Sequence, residues 1–279
     1  MKTALALGTF DGIHLAHRFV LDLPEGYKKT AVTFVKPPKM YIKNKTELLM
    51  TFSDKEKSLK EMGFSEIVAL DFEEIKDLEP LDFLNYLYDN YNPTVISCGF
   101  NYRFGKDGMG DTELLQDFCN KKGINLKICD AIKKDGVVVS STLIRNLLKQ
   151  SEISKANALM KNPFFFESEV LQGDKRGRTI GFPTINQKYP EDLVKVKFGV
   201  YKTKVIADGK AYAGITNIGL RPTFESEYII SETFIKDFSG DLYGKTVKIV
   251  LEEFIRPEVK FGSLDELKQQ IEKDINYIK

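Results

Sequence analysis

The stretch Ala4-Leu5-Ala6-Leu7-Gly8-Thr9-Phe10-Asp11-Gly12-Ile13-His14-Leu15-Ala16-His17 decides how the first half of the chain reads. Four apolar residues run straight into two glycines. A short apolar run stopped by Gly predicts a strand buried on both faces. The glycines let the backbone approach a phosphate closely. His14 and His17 stand at i, i+3, the spacing of neighbours on one helix face. At a helix N-terminus, free N–H groups and the dipole favour an anion. Two imidazoles there can donate to a phosphate whose charge grows in a transition state. The chain has only two histidines, and both fall in this stretch. The same spacing also describes a strand-turn-helix corner with two surface histidines.

Working outward, apolar runs recur at residues 30–35, 67–70, 94–98 and 124–128, each bounded by Gly, Asn, Pro or Asp. Helical patterns lie between them. Ser53 is the expected N-cap of a helix carrying Leu59 and Met62 and ended by Gly63. Further helices are expected over about 81–88 and 112–122. Strands alternating with helices predict an open parallel α/β sheet with its ligand site beyond the strand C-termini.

The rhythm changes after about residue 160. Tyr201, Thr203 and Val205 alternate with Lys202 and Lys204, and similar runs follow at 211–218, 228–235 and 247–251. Asp208-Gly209 is a hairpin-turn signal. Short strands in series predict a small antiparallel barrel. A last helix is expected from Ser263, with Glu266 completing a capping box and Leu264, Leu267, Ile271 and Ile275 on one face. The boundary is expected between Ser154 and Phe164, giving domains 1–157 and 158–279.

Composition agrees with two ordinary globular domains. The chain has 279 residues, 42% hydrophobic and 29% charged, and Lys+Arg (41) nearly balances Asp+Glu (40). No strong basic field is available, which argues against a nucleic-acid partner. Three cysteines without a CxxC pair argue against a zinc site and fit reduced thiols in a cytosol. The apolar start ends at Gly8, too soon for a signal peptide, and no run is long enough to span a membrane. A cytoplasmic protein acting on small molecules is expected.

Gly8-Thr9-Phe10-Asp11-Gly12-Ile13-His14-Leu15-Ala16-His17 resembles the G-x-F-D-G-x-H-x-G-H signature of prokaryotic FAD synthetases of the bifunctional riboflavin kinase/FMN adenylyltransferase family. Ala16 stands where that signature has Gly. Gly99-Phe100-Asn101-Tyr102-Arg103-Phe104-Gly105 and Ser140-Ser141-Thr142-Leu143-Ile144-Arg145 resemble the family's G-x-[ND]-F-x-F-G and S-S-T-x-I-R segments. Thr33-Phe34-Val35-Lys36-Pro37-Pro38 resembles its T-F-x-P-x-P segment, without the usual proline-histidine-proline arrangement. Ser141 or Thr142 is expected to cap the following helix beside a phosphate, with Arg145 one turn in able to reach the same anion. A capped helix with a solvated arginine is the alternative for that segment.

In the second half, Gly173-Asp174-Lys175-Arg176-Gly177-Arg178 followed by Gly181-Phe182-Pro183-Thr184-Ile185-Asn186 resembles the riboflavin kinase signature. Thr184 and Asn186 would share one strand face as hard oxygen ligands suited to Mg²⁺. A Gly/Arg-rich surface loop before an edge strand has the same composition. Ser231-Glu232-Thr233-Phe234-Ile235 and Phe254-Ile255-Arg256-Pro257-Glu258 resemble further family segments. By contrast, Gly240-Asp241-Leu242-Tyr243-Gly244-Lys245-Thr246 only imitates a P-loop, since a strand pattern follows where a helix is required.

The resemblance implies a Rossmann-like HxGH nucleotidyltransferase domain with a parallel sheet, then a small antiparallel riboflavin kinase-like barrel with a terminal helix. It implies FAD synthesis from riboflavin through FMN, with ATP as co-substrate and Mg²⁺ serving both steps. It assigns His14, His17, Arg145 and Glu232 to catalysis, with Glu232 as general base. Gly8, Phe10, Asp11, Gly12, Ser141, Thr142, Gly173, Lys175 and Arg178 are assigned to nucleotide. Phe34, Asn101, Phe104, Arg256 and Glu258 are assigned to flavin, and Thr184 and Asn186 to the metal. The alternatives are an enzyme with one working half and a flavin-binding regulator without turnover; the sequence leaves the oligomeric state open.

Overall fold

The computed structural model describes residues 1–43, 47–173, 181–222 and 227–278. The chain forms two compact units, Met1–Leu143 and Ile144–Lys279. In the first, β1 (Thr3–Leu7), β2 (Lys28–Phe34), β3 (Glu66–Leu70), β4 (Pro93–Gly99) and β5 (Asn125–Cys129) pair in parallel. Their order is β3-β2-β1-β4-β5. The direction of winding reverses at β1, so the loops after β1 and β4 diverge and open a crevice at their C-terminal ends.

Helices α1 (Leu15–Leu21), α2 (Pro38–Lys43), α3 (Phe52–Glu61), α4 (Phe72–Ile75), α5 (Pro80–Tyr91) and α6 (Thr112–Lys122) connect these strands, and a short ribbon, β6 (Lys133–Lys134) with β7 (Val137–Val138), follows them. The alternation within β1 feeds two cores. Leu5 and Leu7 pack on one side with Phe83, Leu84 and Phe118. Ala4 and Ala6 lie on the other with Val20, Leu21 and Leu59. The expected helix over 81–88 extends further, because Pro80 sits at its start and Asn92 closes it in the left-handed region at φ 41°.

Two expected caps are corrected. Thr51, not Ser53, caps α3: its Oγ1 accepts the Asp54 amide at 3.2 Å and donates to Asp54 Oδ2 at 2.6 Å. Gly63 follows the helix at φ +86° as expected. Helix α7 (Ser141–Lys149) is capped by Ser140, whose Oγ accepts the Leu143 amide at 3.2 Å. Ser141 and Thr142 are therefore inside the first turn, and the Ser141 hydroxyl turns to the Asp11 carbonyl.

In the second unit, α8 (Ile153–Asn157) leads into the strands β8 (Phe165–Leu171), β9 (Thr184–Lys188), β10 (Gly199–Ala207), β11 (Lys210–Pro222), β12 (Glu227–Ile235) and β13 (Thr246–Arg256). They close as an antiparallel barrel in the order β10-β11-β12-β9-β8-β13. The two-residue hairpin Asp208-Gly209 joins β10 to β11 with both φ values positive (49° and 74°), the conformation an Asp-Gly turn favours. The barrel interior holds a chain of buried threonine hydroxyls, Thr203–Thr216–Thr233, each link 2.9 Å. The P-loop imitation lies between β12 and β13, and Lys245 is spent on Asp208 at 2.8 Å.

The final helix, α9 (Leu264–Ile275), is capped by Ser263, whose Oγ accepts the Glu266 amide at 3.2 Å. Glu266 returns its carboxylate to the Gly262 amide at 2.9 Å, one residue before the position a capping box requires. The expected apolar face is only partly buried. Leu264 is 68% exposed, and the most buried residue of α9 is Asp274.

Candidate active sites

The loop after β1 is held in a strained conformation. Phe10 (φ 48°), Gly12 (φ 83°) and Ile13 (φ 38°) all lie in the left-handed region, which a β-branched residue rarely enters. Such strain persists only where surrounding contacts over-determine it. Three contacts do so. Asp11 Oδ1 accepts the Leu49 amide at 2.9 Å, the Asp11 carbonyl accepts from Ser141 Oγ at 2.9 Å, and the Thr9 carbonyl accepts from Lys55 Nζ at 3.1 Å. Gly12 has no room for a side chain, since a Cβ would stand 2.7 Å from Leu49 Cδ1. At Gly8 a Cβ would meet the Phe10 ring at 2.8 Å.

His14 and His17 stack face to face at the start of α1, with ring centroids 3.6 Å apart and planes inclined by 17°. His14 Nδ1 accepts the His17 amide at 3.4 Å, which caps the helix and leaves the Nε2 side of a neutral ring as the donor. His17 Nδ1 is buried with no hydrogen-bond partner. Burial, then His14, then Lys55 hold the His17 pKa well below the usual imidazole range, so the ring is neutral at pH 7. A neutral, under-satisfied imidazole beside a pinned glycine loop is suited to receive a polar ligand.

The other residues expected at this site divide by placement. Phe10 is fully buried and meets His17 edge-on at 5.4 Å, so its ring supports the histidine from below. Asp11 is buried too, and its carboxylate braces the chain ahead of α3. Ser141 is half-buried against the loop, Thr142 is exposed, and half-buried Arg145 stands one turn further along α7. Phe34 ends β2 half-buried, near Phe72 at 6.4 Å. Asn101 is exposed on the loop after β4. The Phe104 ring lies in the core, stacked on Tyr102 at 5.6 Å, while Gly105 turns the chain at φ +70° against Pro80.

Lys55 had no place in the sequence reading, because Asp54-Lys55-Glu56-Lys57 looks like a solvated face. The available signal was periodicity: Phe52, Lys55, Leu59 and Met62 fall at i, i+3, i+7 and i+10, on the apolar stripe of α3. The side chain is buried and its ammonium donates to Thr9 O (3.1 Å), Thr33 Oγ1 (3.2 Å) and Phe34 O (2.7 Å). Burial lowers its pKa to about 8, against the opposing pull of Asp11.

In the barrel, strand register assembles the second site. Glu232 on β12 pairs with Asn186 on β9 and with Asn217 on β11, and Phe234 pairs with Thr184. Directly paired residues of an antiparallel sheet project to the same side about 5 Å apart. Since Thr233 and Thr216 face the interior, Thr184, Asn186, Glu232 and Asn217 line the outer wall. Asn217 Nδ2 donates to Glu258 Oε1 at 3.1 Å, which brings Glu258 to the end of this row. Gly173 lies so close to the Asn186 amide that a Cβ there would collide with it. The register puts the neutral oxygens of Thr184 and Asn186 on the same face as the exposed Glu232 carboxylate. This donor set fits Mg²⁺, which prefers oxygen ligands and retains waters. Among the described residues no cluster of three or more His, Cys, Asp or Glu could hold a metal by itself.

Arg256 is turned toward α9. Its Nε and Nη2 grip the Asp274 carboxylate at 2.7–3.2 Å, and Nη1 donates to the Pro257 carbonyl at 3.1 Å. Lys175 and Arg178 lie outside the described residues.

Comparison with known proteins matches each unit to its own family. Residues 1–143 match the FAD synthetase model and residues 160–279 the riboflavin kinase model. The bifunctional riboflavin kinase/FMN adenylyltransferase of Listeria monocytogenes is 33% identical over 98% of this chain and 90% of its own length. The Escherichia coli protein of the same description is 33% identical over 97% of this chain and 90% of its own. A solved Streptococcus pneumoniae structure, described as a macrolide-efflux protein, superposes with a TM-score of 0.90 at 27% identity, covering 99% of this chain and 93% of that one. Among the described residues no helix here is long and apolar enough to cross a membrane. By sequence and by both of its units, the chain belongs to the bifunctional riboflavin kinase/FMN adenylyltransferase family.

Proposed function

We propose that the protein makes FAD in two steps, with residues 158–279 phosphorylating riboflavin and residues 1–157 adenylylating FMN. The observation that carries this reading is that the glycine loop with its stacked histidines and the Thr184, Asn186 and Glu232 row fall in separate units, each built on its own sheet. In the first step the ribityl 5′-hydroxyl attacks the γ-phosphorus of ATP and ADP leaves. Glu232, paired across the strands with Asn186, takes the hydroxyl proton. Mg²⁺ held by Thr184 and Asn186 would supply charge neutralisation at the phosphates. Gly173 would let the nucleotide approach the backbone, and Lys175 and Arg178 belong to the same basic segment of sequence. Glu258, bonded to Asn217 at the end of the row, would contact the flavin.

In the second step an FMN phosphate oxygen attacks the α-phosphorus of ATP and pyrophosphate leaves, so no protein nucleophile is needed. Gly8, Phe10, Asp11 and Gly12 form the pinned floor, and His14 and His17 donate to the phosphates as charge develops. Ser141 and Thr142 contribute from the first turn of α7, and Phe34 and Asn101 shape the flavin side, with Phe104 anchoring the Asn101 loop in the core. The substrates are small molecules, and the balanced charge suits a cytoplasmic enzyme without a nucleic-acid partner.

The test is to incubate the protein with riboflavin, ATP and Mg²⁺ and resolve FMN and FAD over time. Both products are expected in sequence. FMN without FAD sinks the second step, and bound flavin with neither product leaves a regulator. Glu232→Gln should slow the kinase by about 10²–10⁴ while sparing FAD formation from supplied FMN. His17→Ala should do the reverse.

A further inference from the structure

Lys55 stands under two loops that the two-step reading assigns to different substrates, one to the nucleotide and one to the flavin. Thr9 belongs to the glycine loop after β1, and Phe34 ends β2 at the head of the Phe34-Val35-Lys36-Pro37-Pro38 segment. Both carbonyls lie at strand C-termini, where an α/β sheet places its ligands. One ammonium reaches both, at 3.1 Å and 2.7 Å, and spends its third proton on Thr33 Oγ1 at 3.2 Å. Thr33 Oγ1 in turn donates to the Thr9 carbonyl at 3.0 Å, which closes the network.

A buried charge is costly, and a core position on α3 would be filled more cheaply by Leu or Met. Asp11 attracts the ammonium electrostatically, while the ammonium's hydrogen bonds run to Thr9, Thr33 and Phe34. What the ammonium supplies is three donors on a single atom, enough to tie two loops at a fixed separation. A neutral apolar residue would take the ammonium from both carbonyls and leave the Thr33–Thr9 hydrogen bond without its support in holding the loops together. Resting on the two-step reading above, we infer that Lys55 is a positioning residue for adenylyl transfer that sets the spacing between the nucleotide loop and the flavin-side segment. It acts through Thr9 and Phe34, and it touches neither substrate.

The experiment compares wild type with Lys55→Met and Thr33→Val in the full chain. FAD formation from supplied FMN and ATP is measured with kcat and both KM values. FMN formation from riboflavin is followed in the same samples. Stoichiometry of binding of α,β-methylene-ATP, which cannot be cleaved at the bond broken in adenylyl transfer, counts the ATP sites of both units, so loss of the adenylyl-transfer site reads as a fall from two to one. Lys55→Met is expected to bind the analogue at wild-type stoichiometry and to keep full kinase activity. Its kcat for FAD formation should fall about 10²-fold, the cost of misplacing reactants by about an ångström. Thr33→Val should lose about tenfold, and it carries the test if Lys55→Met does not fold. A kcat within threefold of wild type, or a loss equal to the loss of analogue-binding sites, overturns the inference. So does a Thr33→Val enzyme indistinguishable from wild type. A wild-type protein that makes no FAD overturns both this inference and the two-step reading, whereas an active wild type with unimpaired variants overturns Lys55 alone.

Discussion

The Arg256–Asp274 pair offers a quantitative test of what the resemblance implied for Arg256. The Asp274 side chain is 4% exposed and the Arg256 side chain 19%, so solvent screens the pair weakly. Besides the two-nitrogen grip of Arg256, the carboxylate receives Gln270 Nε2 at 2.9 Å. Removing one partner of such a pair strands the other and costs about 3–5 kcal/mol. Arg256→Met should therefore lower the stability of the barrel unit by about 3 kcal/mol, with Gln270 relieving part of the loss. The double change Arg256→Met/Asp274→Leu should recover most of it, because an apolar pair carries no desolvation penalty. Urea unfolding followed by far-UV circular dichroism is the assay, since the chain has no tryptophan. The KM for riboflavin then separates two roles. If the double variant regains stability and the wild-type KM, Arg256 only fastens α9 to β13; a KM that stays raised means it also meets the flavin. A single Arg256→Met variant within 1 kcal/mol of wild type refutes the reasoning, because the pair would then not hold α9 in place.

Two further perturbations probe the other unit. Gly12→Ala should cost about 1–2 kcal/mol for a left-handed backbone and push Leu49 away from Asp11; FAD formation should drop at least tenfold with the kinase untouched, and an unchanged rate would detach the loop's shape from its function. Lys55 gives a pH signature. Its pKa is about 8 folded against 10.5 in an open chain, so between these values the unfolded state holds the extra proton and stability rises with pH. At 1.36 kcal/mol per tenfold change in proton affinity the gain is about 3 kcal/mol by pH 10.5, read as the wild-type minus Lys55→Met difference; a flat difference would show that the ammonium is not paying a burial cost.

Much of the architecture was legible because it rests on local patterns. The parallel strands are short apolar runs with stops at both ends, and Asp208-Gly209 could be read as a hairpin from two residues. The caps were misplaced by one or two positions, since Ser140-Ser141-Thr142 and Thr51-Phe52-Ser53 each offer more than one hydroxyl. The hydroxyl that caps is chosen by where the helix must start to bury Ile144 or Leu59, which is a tertiary decision. Long-range partners were out of reach in the same way. Lys55 finds Thr9 46 residues away. Arg256 finds Asp274 18 residues on, and Phe10 and Phe104 turn into cores that motif matching does not see.

This distinction bears on the departure at Ala16. Glycine is indispensable where the backbone is left-handed or a Cβ would collide, and Gly12 meets both conditions. Ala16 meets neither, being the second residue of α1, outside the positive-φ positions, and half-buried. In a helix Ala is favoured over Gly by about 1 kcal/mol, so the substitution firms the turn that carries His17 without bending it. The loop proposed as the phosphate floor is meanwhile fixed from outside by Leu49, Ser141 and Lys55. What Ala16 adds is one methyl on the turn between His14 and His17, which a helical backbone carries without strain, so it does not disturb the integrity of the loop.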